Sequence, residues 1–462
     1  MASTTTAIDL ATELGNGAFS DARLNRRLAL LTEAIGANPA ASFPDIFNEA
    51  ADLEAAYRFF GNPKVSPDRI LSGHHAVLHQ RMLAEPSLVL HDTTKFVFKE
   101  DGQRSGLGRI MKSGQAFFGH FALVVADDGT RSPLGVAGIQ YWVRDDEPAA
   151  GRERSRWWTL ANTISHRMHP AQMIHVMDCE ADDYDLFRRM IDAKHRFVIR
   201  LKSDRNVVSD DGTTKKIRVT LEALESRVTR PAKLSKRRTA NRNPRAVAKN
   251  PDRDARSVTL SIAAKCMTLK RPASQPSTSP QSLQVNVVHV WEAEPPVGEP
   301  PVDWVLYTTE PITTNADLEK IVDRYRARWA IEVFFKALKS GCAVESRQLR
   351  DLDALVNATT VFAPIAAMLL FLRSELDRAP EAAATTVLTD EHIRVLRTFS
   401  KRNVPQAPTV RDVVYALGGL GGHRRYCYEP PGWQTLTKGL AKLDLLVRGW
   451  NAQKLQRSYV EG

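Results

Sequence analysis

The sequence predicts an α/β protein: a mixed five-stranded sheet with helices on its faces, with helical regions before and after it. Three observations predict it. The apolar spacing switches from helical to alternating near residue 88. Three strand-like stretches are then followed by helix, strand, helix and strand. A long amphipathic helical segment returns at 316–341, after an interval of short alternating stretches.

Residues 8–85 read as helices, with Leu28, Leu31 and Ile35, then Ala55, Ala56, Phe59 and Phe60, at helical spacing. Gly61-Asn62-Pro63 and Pro67 punctuate them. Arg23, Arg26 and Arg27 give this region a basic edge, either a solvated face or a contact for a polyanion. SLVLHDTTKFVF (87–98), FGHFALVVADDG (118–129) and PLGVAGIQYWV (133–143) read as three meandering strands. RWWTLANTISHRM (156–168) reads as helix, MIHVMDCEA (173–181) as strand, DDYDLFRRMIDAK (182–194) as helix and RFVIRLK (196–202) as strand. That order is the order of a ribonuclease H-like domain.

Composition shifts at 203. Residues 227–256 hold eleven Lys or Arg against two Asp, as either a solvated linker or a DNA-facing loop. VTLSIAAKCMTLK (258–270) and LQVNVVHVWEA (283–293) flank a Ser/Pro-rich stretch, so 203–312 reads as a β-rich basic insertion. Helices are expected over 316–341 with Gly341 as C-cap, then over 352–378, 391–417 and 433–449. The division expected is a helical domain over 1–85, a ribonuclease H-like domain over 86–375 carrying the insertion, and a helical region over 376–462.

A chain of 462 residues exceeds one core, and its net charge of +11 favours a polyanionic partner. Four scattered cysteines without CxxC spacing argue against a disulfide framework and a structural zinc site, and fit a reducing cytosol. Met1 to Thr6 lacks the plan of a signal peptide. The uncharged run 354–372 approaches the length of a membrane span, but Asn357, Thr359, Thr360 and Pro364 dilute it, and a buried core helix is the better reading. His75 and His79 lack a third ligand and read as plain helix residues, and Gly106-x-Gly108 reads as a turn.

Asp92 falls within the first strand and Asp178 at the end of the fourth, strands that are neighbours in a ribonuclease H-like sheet. Two carboxylates at about 4 Å repel by about 1 to 4 kcal/mol, and cations between them relieve this. Oxygen donors without Cys or His point to Mg²⁺ or Mn²⁺. On the later helix Tyr325, Arg328, Glu332 and Lys339 fall within about 60° of one another, on one face, at about 100° per residue. Ala330, Val333, Phe334, Ala337 and Leu338 are left to pack inward. Taken singly, Asp92 reads as a turn residue, Asp178 as a helix cap and the helical set as a salt-bridge ladder. Taken together and in order, they supply three carboxylates and flanking cations, which is what two-metal phosphodiester displacement requires.

Tyr325-x2-Arg328-x3-Glu332-x6-Lys339 resembles the Y-R-E-K signature of the insertion sequence 4 family of bacterial DDE transposases. DTT at Asp92–Thr94 and DCEAD at Asp178–Asp182 are similar to that family's first two catalytic motifs, with Cys179 where Arg is common. YRFFGNPKVSP (57–67), RFVIRLK and DWVLYTTEP (303–311) resemble its peripheral segments. The resemblance implies a cut-and-paste DNA transposase, cytoplasmic and nucleoid-associated, with Asp92, Asp178 and Glu332 as catalytic and metal-binding residues for two divalent cations, Mg²⁺ or Mn²⁺. It implies water attack at the element's end, a hairpin made by the freed 3′-OH, its reopening, and joining to target DNA by a homodimer that bridges both transposon ends and does not involve a membrane. Trp304 resembles the aromatic residue that accepts an extruded base, with a core Trp as the alternative. Tyr325, Arg328 and Lys339 would hold phosphates, and Arg200, Lys202, Arg26 and Arg27 would contact the DNA. Residues 1–85 would bind DNA and 376–462 would dimerise. Two rival readings are a ribonuclease H-like nuclease that never joins strands and a non-catalytic DNA-binding regulator derived from a transposase.

Overall fold

The computed structural model describes residues 10–84, 86–99, 104–109, 114–143, 150–168, 172–209, 211–236, 251–424 and 429–460. Part of the basic run, 237–250, and the Met1–Thr6 segment lie outside the described residues. The chain divides into two compact units: Met1–Arg156 with Trp329–Gly462, and Trp157–Arg328.

The first unit opens on helices Leu10–Gly15, Ala22–Ala37, Phe43–Ile46, Ala50–Phe60 and Pro67–Ala84. Asp21 and Ser42 cap the second and third through their side chains, meeting amide donors that a helix start leaves unpaired. The helical spacing read from the sequence faces inward at Leu28, Leu31, Ile35, Ala56, Phe59 and Phe60, all buried, while Ala55 is half-buried. Glu13, 7% exposed, accepts from His74 Nδ1 at 2.9 Å and from the Arg81 guanidinium. His74 Nε2 accepts the Val136 N–H at 3.0 Å, so the ring is the Nδ1–H tautomer, joining the first and fifth helices to the sheet.

That sheet has β1 (Ser87–Lys99), β2 (Gly108–Arg109), β3 (Gly114–Ala126) and β4 (Pro133–Trp142). β3 is central, antiparallel to β1, β2 and β4. It begins four residues before the predicted start, because Gly114 to Phe117 still pair with Lys99 to Phe96. The helix Leu352–Arg378 is buried almost all round, as its composition implies. Thr359 and Thr360 return their hydroxyls to the carbonyls of Leu355 and Val356, so their polar atoms cost little in this interior. Phe362 stacks on Phe43 of the N-terminal helices, and Asn357 donates to the Phe60 carbonyl.

In the C-terminal region the helical spacing runs on over 391–417. Two helices form there, Asp390–Phe399 and Val410–Leu420. Pro405 and Pro408 fall between them, and neither can donate within a helix. Thr409 then starts the second with a full capping box. A last helix runs Trp433–Val460, beyond its expected end.

The second unit holds the helix ending at Arg167, then β5 (Met173–Met177), a helix Tyr184–Asp192 and β6 (Arg196–Arg200). β5 and β6 are parallel, and Tyr184–Asp192 is their crossover, burying Tyr184, Leu186, Phe187 and Met190. β7 (Asn206–Val208), β8 (Thr214–Lys216), β9 (Val228–Leu234), β10 (Arg256–Lys270), β11 (Ser282–Glu292) and β12 (Asp303–Thr308) join β5 and β6 in a mixed sheet within this unit. The β10–β11 hairpin confirms the two alternating stretches within two residues at each end. β12 returns to pair with β6, which closes the insertion against the parallel strands. The unit ends in the helix Asn315–Ala327, capped by Thr314.

The predicted continuous helix 316–341 is not observed. Asn315–Ala327 ends in a turn at Arg328, a second helix covers Trp329–Lys336, and Ala337–Gly341 form a π-helical turn ending on Cys342 rather than a Gly341 cap. A π turn adds a residue per turn, so a face drawn at 100° per residue does not reach Lys339.

Candidate active site

In the first unit Asp92 is half-buried on β1, and its Oδ1 accepts the Thr93 N–H at 2.8 Å. Asp92 pairs directly across from Phe121 of β3, so the two side chains share a face. The Phe121 ring packs on Phe334 and Phe335 at 5.8 and 5.5 Å between centroids. The helix Trp329–Lys336 thus lies over the face that carries Asp92, and it brings half-buried Glu332 to that side of the sheet.

Lys339 is drawn to the far half of β1. Its Nζ donates to the Lys95 carbonyl at 2.5 Å, stands 3.5 Å from Glu345, and lies over the Phe96 ring. Burial lowers its pKa, opposed by Glu345. Glu345 also accepts the Val97 N–H at 2.9 Å, sealing a strand edge. Ala343, at φ 48°, holds the left-handed turn between the π turn and Glu345, a conformation that costs a non-glycine residue energy.

On the opposite face of β1 lies a buried polar group that sequence reasoning missed. His120 is bonded through Nδ1 to Thr93 Oγ1 at 2.9 Å and through Nε2 to His91 Nδ1 at 3.4 Å. Burial, with the nearby Arg156 charge, pushes the His120 imidazole down to about 3. The unfolded chain protonates this residue below about pH 6.5, so between about 3 and 6.5 the unfolded state binds more protons and stability falls as pH falls. Urea unfolding should therefore lose about 1 kcal/mol per pH unit below pH 6 through His120, and His120→Gln should flatten that slope. An unchanged slope in the variant would remove the assignment.

The second unit gathers most of the other predicted residues. Asp178 follows β5 directly and caps the short turn Cys179–Ala181, its Oδ1 accepting the Glu180 N–H at 2.8 Å. It does not cap the following helix, a role taken by Asp183. Arg200, at the end of β6, lies close enough to the buried Tyr325 phenol to act on its charge. Burial raises the Tyr325 pKa, opposed by Arg200 and Arg328 and reinforced by Asp178. Trp304 of β12 is half-buried and sets its ring against Tyr325, edge to face, at 5.9 Å. Burial and the Asp178 carboxylate raise the Cys179 thiol, against the pull of Arg200 and Lys202. Asp178, Arg200, Lys202, Tyr325, Arg328 and Trp304 are thus brought into one electrostatic neighbourhood.

Outside both groups, Arg27 pairs with Asp52 at 3.3 Å, while Arg26 is exposed. Trp329, 59% exposed beside Arg328, is an aromatic surface that the helical spacing did not single out. The catalytic carboxylates expected from the sequence are all-oxygen donors, which suits a hard divalent cation. Among the described residues, no group of three or more His, Cys, Asp or Glu stands close enough to hold a metal ion.

The family described as "Transposase DDE domain" matches residues 83–363, and the one described as "Transposase DNA-binding" matches residues 10–65. A cryo-EM structure of a piggyBac transposase synaptic complex with hairpin DNA aligns at 9% identity and a TM-score of 0.35, over 83% of this chain and 76% of that one.

Proposed function

Because the chain belongs to the family of transposases with a DDE domain, we propose that it is a cut-and-paste DNA transposase of the insertion sequence 4 type, with a ribonuclease H-like core and the Y-R-E-K signature at Tyr325, Arg328, Glu332 and Lys339. The observation that carries the reading is the family match over 83–363, which encloses all three carboxylates singled out in the sequence, Asp92, Asp178 and Glu332. The "Transposase DNA-binding" match over 10–65 supports assigning the N-terminal helices to the transposon ends, with Arg26 among the contacts and Arg27 released from Asp52 on binding.

Asp92, Asp178 and Glu332 would hold two Mg²⁺ or Mn²⁺ ions, which when bound activate the attacking oxygen and stabilise the leaving one. Arg200, beside the Tyr325 phenol, and Arg328 present donors and positive charge to phosphate oxygens beside Asp178. Lys339 holds a phosphate at the β1 side. Water first opens one strand at the element's end. The freed 3′-OH attacks the opposite strand, expelling its 3′-oxygen and leaving a hairpin. A second water reopens the hairpin, and the 3′-OH then joins target DNA. A homodimer in the bacterial cytoplasm would bridge both ends, with 376–462 as the dimerising region.

Trp304 accepts the extruded base, whose stacking contributes about 1 to 3 kcal/mol. Trp304→Ala should therefore slow hairpin formation about 10-fold or more while sparing the first nick, followed on a denaturing gel. Equal slowing of both steps would rule out that role and leave Trp304 as a packing partner of Tyr325. Binding to end DNA should weaken about 10³- to 10⁵-fold between roughly 50 and 200 mM salt if about 6 to 10 phosphates are contacted. Incubating protein, end DNA, target plasmid and Mg²⁺ tests the whole reading: joined products support it. Cutting without joining would indicate a nuclease, and binding without cutting a regulator.

A further inference from the structure

Asp182 closes the short turn that begins at Asp178, and its side chain is 0% exposed. A carboxylate taken fully out of water needs its oxygens satisfied, and here both are. Oδ2 accepts the Lys202 N–H at 2.7 Å and the Ser203 N–H at 2.8 Å. Oδ1 accepts from Arg205 Nε at 2.7 Å and lies 2.6 Å from its Nη2, while the Asp182 carbonyl accepts from the same Nη2 at 2.8 Å. Arg205 in turn lies over the Phe187 ring of the crossover helix. One buried carboxylate therefore fastens the segment after β6 to the turn whose first residue is Asp178.

What that segment carries outward is Lys202. Its side chain is exposed, and its charge, with that of Arg200, acts on Cys179, the neighbour of Asp178. A lysine on a free loop loses side-chain and backbone freedom when it meets a phosphate, and a loop already fixed avoids the backbone part of that cost. We infer that Asp182 is a positioning residue, holding Lys202 beside Asp178 so that its ammonium takes a phosphate of the strand being cut. The inference rests on the transposase reading and adds to it a residue that touches neither DNA nor metal.

The test uses the full-length protein, end DNA, and the variants Lys202→Met, Asp182→Asn and both together. The dependence of log binding constant on log salt should lose about 0.9 in slope in Lys202→Met, the contribution of one phosphate. Asp182→Asn should lose the same amount, which a change in stability alone would not produce. Single-turnover cleavage of pre-bound DNA should fall about 10-fold in each, and the double variant should be no worse than either. A wild-type slope in Asp182→Asn, or rate losses that multiply, would overturn the inference. If Asp182→Asn does not fold, Lys202→Met decides, because its backbone anchor is intact and a wild-type slope and rate there leave nothing to position. Wild-type protein that binds but never cuts would fail the transposase reading, while the slopes still report on Lys202.

Discussion

Replacing Glu332 with alanine is expected to reduce cleavage of end DNA by at least about 10³-fold while leaving binding unchanged. The expectation follows from where Glu332 sits. Phe334 and Phe335 of its helix are packed on Phe121, directly across from Asp92, so the backbone is held by apolar contacts that the substitution does not touch. In the proposed role the variant would lose a carboxylate worth several kcal/mol of transition-state stabilisation at a metal-assisted site, at about 1.4 kcal/mol per decade. Asp92→Ala and Asp178→Ala should show the same separation. Single-turnover cleavage and a mobility-shift titration on the same preparations check it. Retention of full cleavage by any one variant would take that residue out of the catalytic set.

Arg347→Ala should lower the stability of the first unit by about 3 to 5 kcal/mol. Arg347 is 3% exposed and donates to the carbonyls of Ala41, Pro39 and Cys342, with its guanidinium over Phe362 and Phe43. Burial lowers its pKa to about 10, which leaves it charged at neutral pH. Removing it strands three carbonyls at about 1 to 3 kcal/mol each, less what relaxation recovers. The same guanidinium ties the loop between two N-terminal helices to the end of the π turn that carries Lys339. Lysine cannot reproduce the fork, so Arg347→Lys should recover only part of the loss. Urea unfolding would measure both, and a loss under about 1 kcal/mol for Arg347→Ala would contradict the clamp.

Local pattern made much of this legible. Alternation over 87–98 and the apolar run at 173–177 placed β1 and β5, and with them Asp92 and Asp178, within a residue or two. The breaks in the helix expected over 316–341 were not legible, because Arg326 to Ala330 contain no Gly or Pro to announce a turn, and no local spacing signals the π turn Ala337–Gly341. Lys339 therefore sits against β1, its ammonium on the Lys95 carbonyl. The prolines at 405 and 408 were visible, yet the helical spacing on either side masked the break. Asp182 belonged to a recognisable motif, but its partners Lys202, Ser203 and Arg205 come from beyond the β5–β6 crossover, and no local rule joins them. His120 was hidden for a related reason. An alternating strand predicts apolar residues on its buried face, and this imidazole is accommodated there by hydrogen bonds from Thr93, across the pair, and from His91.

The proposed activity stands or falls on metal-dependent cleavage at defined DNA ends. The most direct measurement is to incubate the protein and its Glu332→Ala variant with plasmid carrying the DNA that flanks the gene, in Mg²⁺ and in EDTA, and to map any breaks. Cuts at two fixed positions that require Mg²⁺ and are absent in the variant are expected. Binding to those ends with no cut under Mg²⁺ or Mn²⁺, or cuts that persist in EDTA or in the variant, would contradict it.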